Sequence, residues 1–149
     1  MNIAKIDSSA ASHFDTLQSY YAAEQRYVMA GGAKANADFS EVAAHFHPDA
    51  TAHQGPDVPF PGEWKGVDAI QKFFEVFTDT WSTLELTNIA YFAGETGVTA
   101  TMRMQATARN TGKVLDTKVA HVYTIQDGLI RHIDVFYHDP VQAKAVTLP

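Results

Sequence analysis

Apolar residues recur at helical spacing in three stretches of the first half of the chain. The pattern predicts helices in HFDTLQSYYAAEQRYVMAGG, DFSEVAAHFHPD and GVDAIQKFFEVFTDTW. Glu24 lies on the apolar stripe of the first of these helices, which is unusual for a face that packs against a core. Residues 1–12 are expected to form a flexible tail before the helices, and residues 141–149 a second tail at the other end.

After Trp81 the period of the pattern changes from helical spacing to alternation. LELTNIAYFA, TGVTATMRMQATARN, KVLDTKVAHVYTIQ and LIRHIDVFYHD are therefore predicted to be strands, and turn residues separate them. Helices followed by hairpin-connected strands indicate an α+β domain over residues 13–140. We expect the helices to pack on the concave side of a strongly curved antiparallel sheet.

The hairpin AHVYTIQDGLIRHIDVFYHD, residues 120–139, mixes ionisable side chains with apolar ones. Its Asp-Gly dipeptide is a strong signal for a two-residue turn, because both turn positions need positive φ. Counting outward from that turn places His121 directly opposite Asp134, with Cβ atoms about 5 Å apart. The same face is predicted to receive Val119, Tyr123, His132, Phe136 and, from the neighbouring strand, Met104.

An imidazole opposite a carboxylate is a candidate for acid/base chemistry. The carboxylate raises the pKa of the histidine and orients its ring. An ion pair on a wet sheet face has the same appearance in a sequence. The opposite face, however, carries Lys118 and Arg131 and so looks more exposed, although its centre is apolar enough for a dimer contact. We therefore expect the pair to be enclosed, and a homodimer to form through the outer sheet face.

Composition and charge exclude several classes of partner. The 149 residues suit one domain, and the net charge of -6 comes without any run of Lys or Arg. Nucleic acids and anionic membranes both require such a basic surface. There is no cysteine, which excludes disulfides and thiolate chemistry. No signal-peptide core or bilayer-length apolar run occurs, so the cytoplasm is the expected compartment.

Three segments together resemble the SnoaL-like polyketide cyclase group of the nuclear-transport-factor-two-like superfamily, which has a cystatin-like cone fold. They are HPDAT (residues 47–51), WKGVDAIQKFF (64–74) and YTIQDGLIRHIDVFYHD (123–139). The resemblance extends over about residues 13–140 and implies a cone with an internal pocket. It marks the fold more than the function, because this scaffold hosts several classes of enzyme and also non-enzymes.

The resemblance also implies site residues. SnoaL-like cyclases use an aspartate on the last strand as acid/base and a histidine on the preceding strand, and Asp134 and His121 occupy those places. The polar partner two residues before that histidine is replaced here by Val119. The position of the ketosteroid isomerase base reads Gln54, which argues against that isomerisation.

The first functional hypothesis is an acid/base enzyme of cyclase, isomerase or lyase type that needs no cofactor. Asp134 would move a proton next to a carbonyl group of a mostly apolar ligand, and His121 would orient it or stabilise the enolate oxygen. The pocket residues expected under this hypothesis are Tyr20, Glu24, Tyr27, His53, Trp64, Met104, Tyr123, His132 and Phe136.

Two alternatives remain open in the sequence. One is a non-catalytic module on the same fold that binds a small ligand or assembles as a dimer. The other is a metal site built from His121, His132 and Asp134 with His53 nearby. Because the spacing of these residues matches no known zinc motif, we expect no metal.

Overall fold

The structure is a computed structural model that describes the backbone of residues 3–149 and the side chains of residues 9–149. Its helices are α1 (Ile3–Met29), α2 (Ser40–Ala43), α3 (Val67–Thr80) and α4 (Pro140–Ala145), with a 3-10 turn at Gly32–Ala35. Its strands are β1 (Phe46–Gln54), β2 (Gly62–Lys65), β3 (Trp81–Ala93), β4 (Gly97–Ala108), β5 (Val114–Gln126) and β6 (Leu129–Tyr137). No described helix has the length and apolar character needed to cross a bilayer.

Both predicted tails differ from the structure. Residues 3–12 continue α1, because their sequence contains alanines and neither glycine nor proline to break a helix. The first two residues of that predicted tail lie outside the described residues. Residues 141–149 include most of α4, which begins where the Asp139 carboxylate accepts a hydrogen bond from the Gln142 N–H at 2.9 Å. Ala143 and Val146 are buried, so this end of the chain packs on the domain.

The predicted α+β class, with N-terminal helices packed on a sheet, is confirmed. The six strands form one sheet in the order β2-β1-β6-β5-β4-β3. Every pairing is antiparallel except β1 with β6, which is parallel, so the sheet is mixed. The sequence pattern does not predict this pairing, because it assigns the first residues of β1 to the end of a helix, DFSEVAAHFHPD.

Alternation along the strands separates an inner face, which the helices cover, from an outer face. In β4 the buried residues are Val98, Ala100, Met102, Met104, Ala106 and Ala108. Leu17, Tyr20 and Ala23 of α1 and Ile70 and Phe74 of α3 are buried in the same core. The inner face is therefore the apolar centre of the domain, and it is where a polar group needs an explanation.

A one-residue bulge in β6 changes the faces of the hairpin. The turn residues Asp127 and Gly128 have the predicted positive φ values of 52° and 74°, and Ile125 pairs with Ile130 as expected. Thr124 then pairs with His132, which leaves Arg131 as the extra residue. Every later pair is shifted by one, so that His121 faces Val135 and Asp134 faces Val122.

The predicted pairing of His121 with Asp134 is therefore wrong. The two residues lie on opposite faces of the sheet, because a shift of one residue moves a side chain across it. The register of β1 against β6 also shifts at this level, between Phe46 and Thr51. Pro48 lies in that interval and cannot donate to a strand ladder.

Candidate functional site

Five polar side chains meet on the inner face and are called the inner network here. They are Tyr20, Tyr21 and Glu24 of α1 together with His121 and Tyr123 of β5. The Tyr123 ring lies 6.0 Å from the ring of Tyr20 and 6.1 Å from that of Tyr21, measured between centroids. The helical spacing in α1 and the alternation in β5 thus bring these residues together across about a hundred positions of sequence.

Hydrogen bonds link three members of the inner network in a row. The hydroxyls of Tyr21 and Tyr123 are 3.1 Å apart, and the Tyr123 hydroxyl is 3.4 Å from Nδ1 of His121. If each hydroxyl donates toward the histidine, Nδ1 accepts and the proton of the neutral ring lies on Nε2. This arrangement leaves the Nε2–H of His121 as a donor.

Burial determines the protonation of His121. It lowers the pKa of this histidine from its ordinary value of 6.5 to about 4. The imidazole is therefore neutral at pH 7, whereas the sequence analysis expected a carboxylate to raise its pKa. That expectation was wrong because the bulge moves Asp134 to the other face.

Glu24 is affected by burial in the opposite direction. Withdrawal from water raises the pKa of its carboxyl from 4.5 to about 7, although hydrogen bonding with Tyr20 opposes the shift. The side chain is nevertheless only half-buried. Near neutral pH the Glu24 carboxyl is therefore protonated in part of the molecules and ionised in the rest. Burial also raises the pKa values of the three tyrosines of the inner network.

Other inner polar atoms have no hydrogen-bond partner among the described residues. Gln54 is buried, and its Oε1 accepts no hydrogen bond from the described residues. Gln54 lies opposite Val135, which in turn lies opposite His121, so the amide and the imidazole share one row across the sheet. Three other buried atoms also have no hydrogen-bond partner among the described residues, namely Tyr27 OH, Trp64 Nε1 and Trp81 Nε1. Buried polar groups usually have partners, so these atoms suit a bound polar group.

The remaining ionisable residues of the predicted site form a cluster on the outer face. Asp134 lies 3.3 Å from Nδ1 of His53 and 3.1 Å from Nε2 of His132, through its two carboxylate oxygens. Nδ1 of His132 in turn contacts the hydroxyl of Thr51. All four side chains are partly or largely exposed. This is the His–Asp contact on a wet sheet face that the sequence left open, made with His53 and His132 in place of His121.

The predicted site residues are thus divided between the two faces. The structure brings His121, Tyr123, Tyr20 and Glu24 together, and it places Met104, Tyr27 and Trp64 elsewhere on the inner side. It places His53, His132, Asp134 and Phe136 on the outer face, and the Phe136 side chain is 57% exposed rather than a pocket wall. The residues of the alternative metal site are also divided between the two faces. Among residues 9–149, no group of three or more ligating residues is arranged to hold a metal.

Sequence reasoning missed two residues of the inner face. Tyr21 was assigned to the apolar stripe of α1 but not to the site, although it precedes Glu24 by one helical turn. Gln54 follows Ala50 and Ala52 in strict alternation, which would have placed it on their face if the segment had been read as a strand.

Two surface depressions lie outside the inner network. One, of about 370 Å³, is bounded by Arg103, Asp116 and Lys118 of the sheet and by His138 and Gln142 beyond it. The other, of about 650 Å³, is lined by Pro59, Val76, Asp79, Thr80, Arg109, Asn110 and Thr147. Neither depression is lined by a residue of the inner network.

Comparison with known proteins shows the family. Residues 25–133 match the SnoaL-like domain, and the chain belongs to that family. None of the curated proteins matches it at a significant level.

Several solved structures share the fold. Bal32a, from a soil-derived mobile gene cassette, is 19% identical with a TM-score of 0.76, covering 94% of this chain and 99% of its own. An NTF2-like protein from Burkholderia thailandensis E264 is 25% identical with a TM-score of 0.72, covering 91% and 97%. TerC, co-crystallized with polyporic acid, is 14% identical with a TM-score of 0.66, covering 85% and 91%.

Proposed function

We propose that the inner face binds a small, mostly apolar molecule and catalyses proton transfer next to a carbonyl group, as cyclases, isomerases and lyases do. The observation that carries this proposal is the half-buried His121, kept neutral by burial and hydrogen-bonded through Tyr123 to Tyr21. TerC, which shares the fold, was crystallised with polyporic acid, and this favours a small organic ligand here too.

The chemistry follows from the neutral imidazole. A neutral ring whose Nδ1 accepts from Tyr123 presents its Nε2–H to a ligand oxygen, and that oxygen becomes negative when the neighbouring carbon loses a proton. Burial keeps the tyrosines protonated at pH 7, so the hydrogen-bonded row is fixed before the ligand arrives. Asp134 has no part in this scheme, because it lies on the outer face.

The test is deuterium exchange at the carbon next to a carbonyl group, followed by NMR in D₂O with acetophenone and 2-tetralone as probes. The wild-type protein should accelerate exchange, and His121→Gln should reduce the rate by about 100-fold or more. His132→Gln is the matched control, since that histidine lies on the outer face, and it should leave the rate unchanged. Equal rates for the two variants would overturn the proposal.

Ligand binding without turnover is the second candidate function. The surroundings of His121 favour it. Among the described residues, the His121 ring is hydrogen-bonded to Tyr123 and to no carboxylate. In that case the probes and polyporic acid bind, as monitored by quenching of tryptophan fluorescence, while exchange stays at the rate of buffer alone. Binding weakened by Trp64→Phe would support this reading, because residues 9–149 give the Nε1 of Trp64 no hydrogen-bond partner.

We infer further that two copies of the chain associate through the outer sheet face. Phe136 and Phe92 are 57% and 64% exposed on it. On the same face, Arg103 is paired within the chain with Asp116. Large exposed apolar side chains on a sheet face suit contact with a second identical copy. Phe136→Glu should convert the dimer to a monomer in light scattering after gel filtration, and Val141→Glu, on α4, should not. An unchanged mass for Phe136→Glu would contradict the inference.

A further inference from the structure

Glu24 is placed where it can act on a ligand of the inner network. It follows Tyr20 by four residues and Tyr21 by three, so the three side chains share one face of α1. Tyr123 joins this face to β5, because its ring lies 6.0 Å from that of Tyr20 and 6.1 Å from that of Tyr21, and its hydroxyl is hydrogen-bonded to His121. In agreement with this arrangement, the charge of Glu24 raises the pKa of all three tyrosines.

Packing does not explain a carboxyl at this position. Among residues 9–149, Glu24 takes part in no salt bridge, whereas the neighbouring Arg26 is paired with Glu41. A carboxyl that is withdrawn from water without a cation costs stability, and glutamine would fill the same volume without that cost. Groups held at such a cost are concentrated at functional sites.

We propose that Glu24 is the proton-transferring group of the inner face, and that the ligand is an uncharged molecule with a ring carbonyl or phenolic oxygen. This inference rests on the proposed function and names its base. The Glu24 carboxylate takes a proton from the carbon next to the carbonyl. The electrons of the broken C–H bond form the enolate double bond, and the oxygen that becomes negative accepts from Nε2–H of His121. The Glu24 carboxyl then returns the proton to the same carbon or to a conjugated one, so that atoms and charge balance without a co-reactant.

The charges around the inner face indicate the class of ligand. Every lysine and all but one arginine of residues 9–149 are exposed, and the exception, Arg131, contacts His47. A carboxylate or phosphate ligand would therefore find no cation on the inner face and would be repelled by Glu24. The rings of Tyr20, Tyr21 and Tyr123, which pack against one another, instead make the surroundings of the site aromatic. Such surroundings suit a planar, uncharged ring.

The test compares Glu24→Gln with Asp15→Asn, which removes an exposed carboxylate from the same helix. In the exchange assay with 2-tetralone, Glu24→Gln should lose about 100-fold or more in rate. Its affinity for phenol, an uncharged probe of the oxygen site, should change by less than about 3-fold, and Asp15→Asn should change neither quantity. The wild-type rate should rise with pH through about 7, as the carboxyl loses its proton, and Glu24→Asp should recover part of the rate.

The outcomes separate this inference from the proposal beneath it. Exchange that depends on His121 but is unchanged in Glu24→Gln would overturn the role of Glu24 and leave the proposed function standing. No exchange above buffer in the wild-type protein would overturn both. A loss of phenol binding as large as the loss of rate would show that Glu24 only shapes the site, and it would overturn the proton-transfer role. Circular dichroism of each variant confirms the fold before these comparisons.

Discussion

Replacing Glu24 by glutamine should stabilise the folded protein at neutral pH, and the gain should disappear in acid. The carboxyl has a higher pKa in the folded state than in the unfolded one, so the folded state binds the extra proton between about pH 4.5 and about 7. Across that window the contribution of Glu24 to stability falls as pH rises. A neutral glutamine has no such dependence.

The magnitude follows from the pKa values. A change from 4.5 to about 7, at about 1.4 kcal/mol for each pH unit, corresponds to about 3–4 kcal/mol. Because Glu24 keeps part of its surface in contact with solvent, we expect about 1–3 kcal/mol above pH 7. For a protein of this length that corresponds to a rise in Tm of about 2–12 °C.

Urea unfolding of the wild-type protein and Glu24→Gln at pH 4.5, 6 and 8 measures this difference. The free energies of unfolding should agree at pH 4.5 and diverge steadily toward pH 8, with the variant more stable. Asp15→Asn should show no such divergence. A difference between Glu24→Gln and the wild-type protein that is the same at all three pH values would refute the reasoning.

The other predictions concern the partners of Glu24. His121 has a lower pKa in the folded state than in the unfolded one. Its contribution to stability is therefore present above about pH 6.5 and is lost as pH falls toward about 4. In urea unfolding, His121→Gln should therefore become more stable than the wild-type protein in acid. This slope opposes that of Glu24, so the wild-type curve between pH 4.5 and 6.5 should be flatter than that of either variant. Tyr21→Phe removes one hydroxyl of the 3.1 Å hydrogen bond to Tyr123. It should lower the free energy of unfolding by about 1 kcal/mol in the same assay. An unchanged free energy of unfolding would show that this hydrogen bond contributes nothing to stability.

The sequence predicted the elements of the hairpin better than it predicted their register. The Asp-Gly turn and the first two pairs, Gln126 with Leu129 and Ile125 with Ile130, were correct because they depend on local backbone geometry. The count failed at Arg131, where the bulge coincides with a shift in the parallel pairing between β1 and β6. That pairing joins segments about eighty residues apart, so local counting could not reveal it.

The candidate site was predictable to the same extent. Tyr20, Glu24, His121 and Tyr123 were all selected from the sequence, and Glu24 stood out because it interrupts an apolar stripe. Their assembly was not predicted, since His121 was matched with Asp134 and not with the tyrosines of α1. Beyond a bulge, the alternation of residues along a strand no longer predicts the face that each residue occupies. A role that depends on that face therefore cannot be predicted from the local sequence.

The bulge at Arg131 also has a consequence for protein design. Drawing Arg131 into the ladder opposite Thr124, with the sequence unchanged, would restore the simple hairpin count and exchange the faces of all the β6 residues beyond it. The Asp134 carboxylate would then turn into the interior opposite His121, while Ile133 and Val135 would turn to the surface. Deleting Arg131, by contrast, would leave a regular hairpin with the observed pairs, so a designer can remove the bulge from this scaffold without changing the face that any other side chain of β6 occupies.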